Sequence, residues 1–265
     1  MIRSISMLNN NSIFTVNPFS VGAFSSNNSM WTAALGYQRV QAQIFAQAVD
    51  TFEAFTQPRI NTLTAQTNNA MSMYSRTDIA SSYLNEANSI LDELGALATQ
   101  ANNSSLSSSD RDILETQSSV LQSQLNQVLT QSRYNGVSLF QGIPVSVDTG
   151  TSTVSYTDIN GGNIVSSLGA IDLSSTAGAQ AAQSSIQQAQ LRVSEGLDQL
   201  SVASNSLTRA IDSNRAGLYD MYTGSIYALT TLSSGLGFGN SSLIASQLYN
   251  SYTLQNSKIL TLLSR

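Results

Sequence analysis

A seam of apolar and small residues, stepping by four and three positions, limits what this chain can fold into. Ala182, Ile186, Ala189, Val193, Gly196, Leu200, Ala203, Leu207 and Ala210 keep the step without a break. Tyr83, Ala87, Ile90, Leu94, Leu97 and Ala101 keep it over a second stretch. That spacing puts one stripe along a helix, and the stripe is covered only when another helix lies against it. A helix over 177–214 would be roughly 55 Å long. Its alanines and glycine would let the neighbouring helix approach closely. The sequence therefore predicts a mainly α fold: long antiparallel helices in a coiled coil, with paired terminal helices and a small β-hairpin region.

The rest of the chain fits around these two helices. Residues 1–30 are rich in Asn and Ser, are interrupted by Pro18, and read as an extended segment. From Trp31 to Phe55 a helical stripe of Tyr37, Ile44, Ala48, Phe52 and Phe55 follows, and Pro58 is expected to end or kink that helix. After the break at Asn102 and Asn103, Ser108 or Ser109 is the expected N-cap of a third helix. Asp110, Asp112 and Glu115 lie in its first turns, where the helix dipole favours them. Its seam is Leu114, Leu121, Leu125 and Val128, and Asn135-Gly136 is its expected stop. Val145, Val147, Val154 and Tyr156 alternate with polar residues, and Asn160-Gly161-Gly162 reads as a turn, so short β-hairpins are expected here. Gly235, Gly237 and Gly239 break the chain before a last helix, on which Ala245, Leu248, Tyr252, Ile259 and Leu262 share a face.

These elements group into an extended segment (1–30), an N-terminal helical part of a terminal coiled-coil domain (31–75), a core rod domain (76–214) and a C-terminal helical part (215–265). Within the rod come a helical hairpin (78–133), a β region (137–175) and the long helix (177–214). Ile90, Leu94, Leu97, Leu121, Leu125, Val193, Leu200 and Leu207 are the expected core seam. Tyr37, Ile44, Phe52, Ala245, Leu248, Tyr252, Ile259 and Leu262 are the expected self-assembly residues. The terminal helices carry them, and amphipathic helices of this kind need each other or further copies to cover their apolar faces.

Composition narrows the function. The chain has no Cys and no His, which removes disulfides, thiol nucleophiles, Ser-His and Cys-His pairs and ordinary zinc sites. Asp92-Glu93 diverge on a helix, and Asp110, Asp112 and Glu115 lack the spacing of a calcium loop. The glycines at 235–239 lack the lysine of a phosphate loop. No catalytic, cofactor or metal site is expected, and the chain reads as a structural protein rather than an enzyme. Charged residues are only 10% of the chain, so copies repel each other weakly, and a net charge of -5 disfavours nucleic acid. Residues 1–14 do not read as a cleaved signal, and no run is long and apolar enough for membrane insertion.

Several segments in order resemble bacterial flagellin. Asn85 to Asn102 (NEANSILDELGALATQAN) is similar to the first long helix of that family's inner-core domain, and Ser107-Ser108-Ser109-Asp110-Arg111 to the turn and helix start after it. Arg133-Tyr134-Asn135-Gly136-Val137-Ser138-Leu139-Phe140 resembles the aromatic-Asn-Gly signature that closes the second helix. Ile171 to Ala182 (IDLSSTAGAQAA) looks like the lead into the C-terminal core helix, and Ile259 to Arg265 (ILTLLSR) like the Leu-rich tail. The resemblance implies a homo-oligomer, a hollow helical filament of the extracellular bacterial flagellum that serves motility. It implies secretion through the flagellar type III export apparatus with a secretion chaperone, and filament cap and junction proteins as further partners. Related alternatives are a hook-filament junction protein of the same superfamily or a secreted helical adhesin.

Overall fold

The computed structural model describes residues 28–235. Of the segment 1–30 read as extended, residues 28–30 form the start of α1 instead; residues 1–27, the last helix, and Ala245, Leu248, Tyr252, Ile259 and Leu262 on it lie outside the described residues. The fold is mainly α. Helix α1 spans Asn28–Ala101, α2 spans Ser108–Gln131, α3 spans Gly161–Leu168, and α4 spans Thr176–Gly235. Between α2 and α3 run two antiparallel hairpins: β1 (Arg133–Tyr134) with β2 (Val137–Ser138), and β3 (Pro144–Asp148) with β4 (Thr153–Thr157).

α1 and α4 form an antiparallel pair. Gln180 Nε2 donates to Asn102 Oδ1, Gln183 Nε2 to Thr99 Oγ1, and Gln190 Nε2 to Asp92 Oδ1. Further along, Gly196 packs against Leu84 and Gly217 against Leu63, so each step back along α1 is a step forward along α4. At about 1.5 Å per residue α1 is about 110 Å long and α4 about 90 Å. All the α4 seam residues from Ala182 to Ala210 are buried.

The helix boundaries differ from expectation in physically instructive ways. Pro58 does not end a helix: α1 runs through it, and the two helices expected on either side are one. Pro58 and Ala54 are both exposed, so the carbonyl that loses its helical N–H partner lies on the wet side. Thr56 Oγ1 donates to Phe52 O at 2.9 Å and Thr62 Oγ1 to Pro58 O at 2.9 Å, adding local bonds around the missing one. The cap of α2 is Ser107, not Ser108 or Ser109. Its hydroxyl accepts from Asp110 N while the Asp110 carboxylate accepts from Ser107 N, a reciprocal capping box. α4 continues past 214, and its described part reaches Gly235.

Two Asn-Gly signals exchange roles. Asn135-Gly136 is the two-residue turn of the β1–β2 hairpin, with φ of 49° and 79°, and α2 stops before it at Gln131. Asn160-Gly161-Gly162 is not a turn between strands. Asn160 Oδ1 accepts from Asn163 N at 2.9 Å and caps α3, a helix the alternation did not foretell. Gly161 is required there, because a Cβ would stand 2.1 Å from Leu129 O.

Candidate assembly surface

The rod divides by how its helices are covered. Over its C-terminal half α1 packs on both α2 and α4, and its buried face is correspondingly wide. Leu84, Leu91, Leu94 and Ala98 are fully buried, and Ile90 is buried beside them. Tyr83 and Leu97 lie at the border and are half-buried, as is Leu121 on α2. Of the expected seam, Ala87, Ile90, Leu94 and Ala101 are buried, while Leu84, Leu91 and Ala98 beside it widen the buried face. The continuous core runs along α1 from Ala70 to Ala101 and along α4 from Ala179 to Ile211.

Arginine side chains brace this core at two places. Arg111, buried near the start of α2, donates to Ala101 O, to Asn103 O at 2.8 Å and to Leu173 O at 3.3 Å. It thereby places a cation at the carbonyl-rich end of α1, where the helix dipole favours one. Arg76 on α1 binds the second hairpin: its Nη2 donates to Asp158 Oδ2 at 2.6 Å and its Nε to Tyr156 Oη at 3.0 Å. Burial pushes the Asp158 carboxyl up to about 6 against the opposing pull of Arg76, and burial likewise raises the Tyr156 hydroxyl.

Beyond the core, toward residue 28, α1 keeps an apolar stripe that nothing in the described chain covers. Tyr37 is 66% exposed, Ile44 46% and Phe55 75%, with Val40 beside them. Phe52 is half-buried. Ile44, Ala48, Phe52 and Phe55 lie together on one open face of α1, with Gln47, Thr51 and Thr56 beside them. On α4, Tyr219 and Tyr227 are exposed at the matching end of the rod. The stripe carries little charge. Partial burial, and then the neighbouring Asp50 carboxylate, push Glu53 above the usual carboxylate range.

Of the expected core-seam residues, Ile90, Leu94, Leu125, Val193, Leu200 and Leu207 lie inside the packed rod, with Leu97 and Leu121 at its margin. The expected assembly residues Tyr37, Ile44 and Phe52 lie along α1, away from the core. Reading the sequence alone missed Arg76, Asp158 and Arg111. Arg76 had a signal, since it falls between Met73 and Ala80, a charge set into the buried face; Asp158 closes the alternating run that was read as a hairpin. Among the described residues no group of three acidic side chains could hold a metal, and no helix is long and apolar enough to cross a membrane.

Residues 48–144 match a family described as the bacterial flagellin N-terminal helical region. The crystal structure of Bacillus cereus flagellin is similar in fold, with a TM-score of 0.51 and 19% identity, over 56% of this chain and 88% of that one. Comparison with curated proteins finds no match. The matched segment takes in most of α1, all of α2 and the first hairpin; over it the chain is similar to the flagellin N-terminal helical region, and its fold is flagellin-like.

Proposed function

We propose that the chain is a structural subunit of an extracellular bacterial flagellar filament. The observation that carries this reading is the uncovered stripe of Tyr37, Val40, Ile44 and Phe55 on a helix that extends far beyond its own core. A helix of this composition is marginal in water unless its apolar face is covered. The family match over residues 48–144 supports a filament as the source of that cover. In this reading residues 76–214 are the rod's packed body. Residues 31–75 and 215–265 are terminal helices that pair with each other and with neighbouring copies. Export by the flagellar type III apparatus, with its chaperone, and contact with cap and junction proteins follow from the same reading.

The test is polymerisation of the purified full chain in a kosmotropic salt, which strengthens apolar burial, followed by electron microscopy and sedimentation. Long filaments of uniform diameter are expected. A chain that stays monomeric at every salt and protein concentration, or precipitates without order, would end the proposal.

A further inference from the structure

The tip of the β3–β4 hairpin lies across the α1–α4 pair at one level of the rod. Asn214 on α4 donates from Nδ2 to Thr149 O at 2.8 Å. Thr149 is fully buried and Asn214 only 1% exposed. On the other side of the tip, Gly150 sits directly over the Gln66 side chain of α1. Gln66 and Asn214 continue the series of facing positions that runs from Asn102–Gln180 to Leu63–Gly217. The tip therefore meets both helices where they face each other. The loop itself is held in shape: Thr149 Oγ1 donates to Ser152 O at 2.6 Å, and Asp148 Oδ1 accepts from Gly150 N at 2.8 Å.

The position of this contact is informative. The continuous core ends at Ala70 on α1 and Ile211 on α4, next to the strap. Asn214 lies on the seam four positions after Ala210 and four before Leu218, where an apolar residue would pack more easily. Its Oδ1 has no hydrogen-bond partner among the described residues. A buried polar residue at a seam position costs stability and returns specificity of alignment when its bond forms in only one arrangement.

We propose that Asn214, Gly150 and the buried Thr149 carbonyl form a strap that ties α1 to α4 at the end of the core, so that the outer sections of both helices are held side by side. The strap makes the outer section, 45–65 with 215–235, an extension of the rod rather than two fraying ends. It is a property of the chain by itself and does not depend on the filament reading.

The experiment is amide hydrogen exchange on the full chain, comparing wild type with Asn214→Leu and Gly150→Ala. Leucine fills the seam and removes the bond to Thr149. Alanine at 150 strains a left-handed backbone (φ 82°) and forces the Gln66 side chain aside, while Asn214 and the rest of the α4 seam keep their residues. In both variants, exchange over 50–65 and 215–230 should quicken about tenfold, the mark of a more populated local opening. Exchange over 84–98 and 186–207 should stay as in wild type. Unchanged exchange in the outer sections of either folded variant overturns the proposal. So does equal quickening of core and outer sections, which would mark a general loss of stability. If Asn214→Leu does not fold, Gly150→Ala decides alone; its failure to fold would place the tip in the core and overturn the strap.

Discussion

Asp158 shows how a single carboxyl can make the rod respond to acid. Its side chain is 2% exposed and paired with Arg76 at 2.6 Å, yet burial outweighs the pairing and holds its pKa near 6, above the ordinary 3.8. The folded chain therefore binds this proton more tightly than the unfolded chain does. The resulting stability is fully present below about pH 4 and is lost as the pH rises through about 6, amounting to about 3 kcal/mol for a shift of this size. Urea melts of wild type between pH 4 and 7.5 should show that decline, and Asp158→Asn should lack it. Parallel pH profiles for the two proteins would mean that the pairing with Arg76 compensates burial fully. The sequence reading passed over Arg76, whose one signal is its place as a charge between the buried Met73 and Ala80. It could not name Asp158 as the partner, since the hairpin brings together residues 82 positions apart.

Among the elements, packing partners rather than intrinsic pattern decide which residues matter. Leu94 and Leu191 are both leucines on long helices, but one is fully buried and the other 65% exposed. Leu94→Ala should cost about 2–5 kcal/mol, whereas Leu191→Ala should stay within about 0.5 kcal/mol, as thermal or urea melts would read. A Leu191 cost as large as that of Leu94 would put α4 in the wrong rotation. The heptad step made the α4 seam legible because α4 keeps a single long partner, and every seam residue from Ala182 to Ala210 is buried. The same step on α1 was only partly legible, because a helix touching two others buries two adjacent seams and the pattern blurs between Leu97 and Ala98. α3 was hidden for another reason. It is short, and its N-terminal Asn-Gly-Gly carries the chemistry of a turn as well as that of a cap. The crowding at Gly161 is specific to the helical outcome. Gly161→Ala would push a methyl into Leu129 O and should lower stability by about 1–3 kcal/mol, while the half-buried Gly162 should tolerate the same change far better because its nearest contact is 3.5 Å away.

At the scale of the whole molecule, the question is why a chain should build a helix so much longer than its own core. The packed body is self-sufficient: the core from Ala70 to Ala101 is covered by α2, α4 and the hairpins. The outer part of α1 is not, and Tyr37, Val40, Ile44 and Phe55 lie along one side of it, which is the distribution expected of a surface awaiting a partner. If that partner is another copy, or a segment of the same chain that docks during assembly, the stripe contributes to association and almost nothing to the stability of the free subunit. Replacing Ile44 and Phe55 together by serine separates the two roles. The urea midpoint of the packed body should shift little, since exposed positions usually change stability by about 0.5 kcal/mol or less. Polymerisation should be lost, because each added subunit would forfeit roughly 1.5–3 kcal/mol for every large apolar side chain no longer buried. Sedimentation under conditions that polymerise the wild type reads the second effect, and a urea melt of the unpolymerised chain reads the first. A double variant that still forms long filaments would remove the stripe from the interface, and one that unfolds would return it to the core.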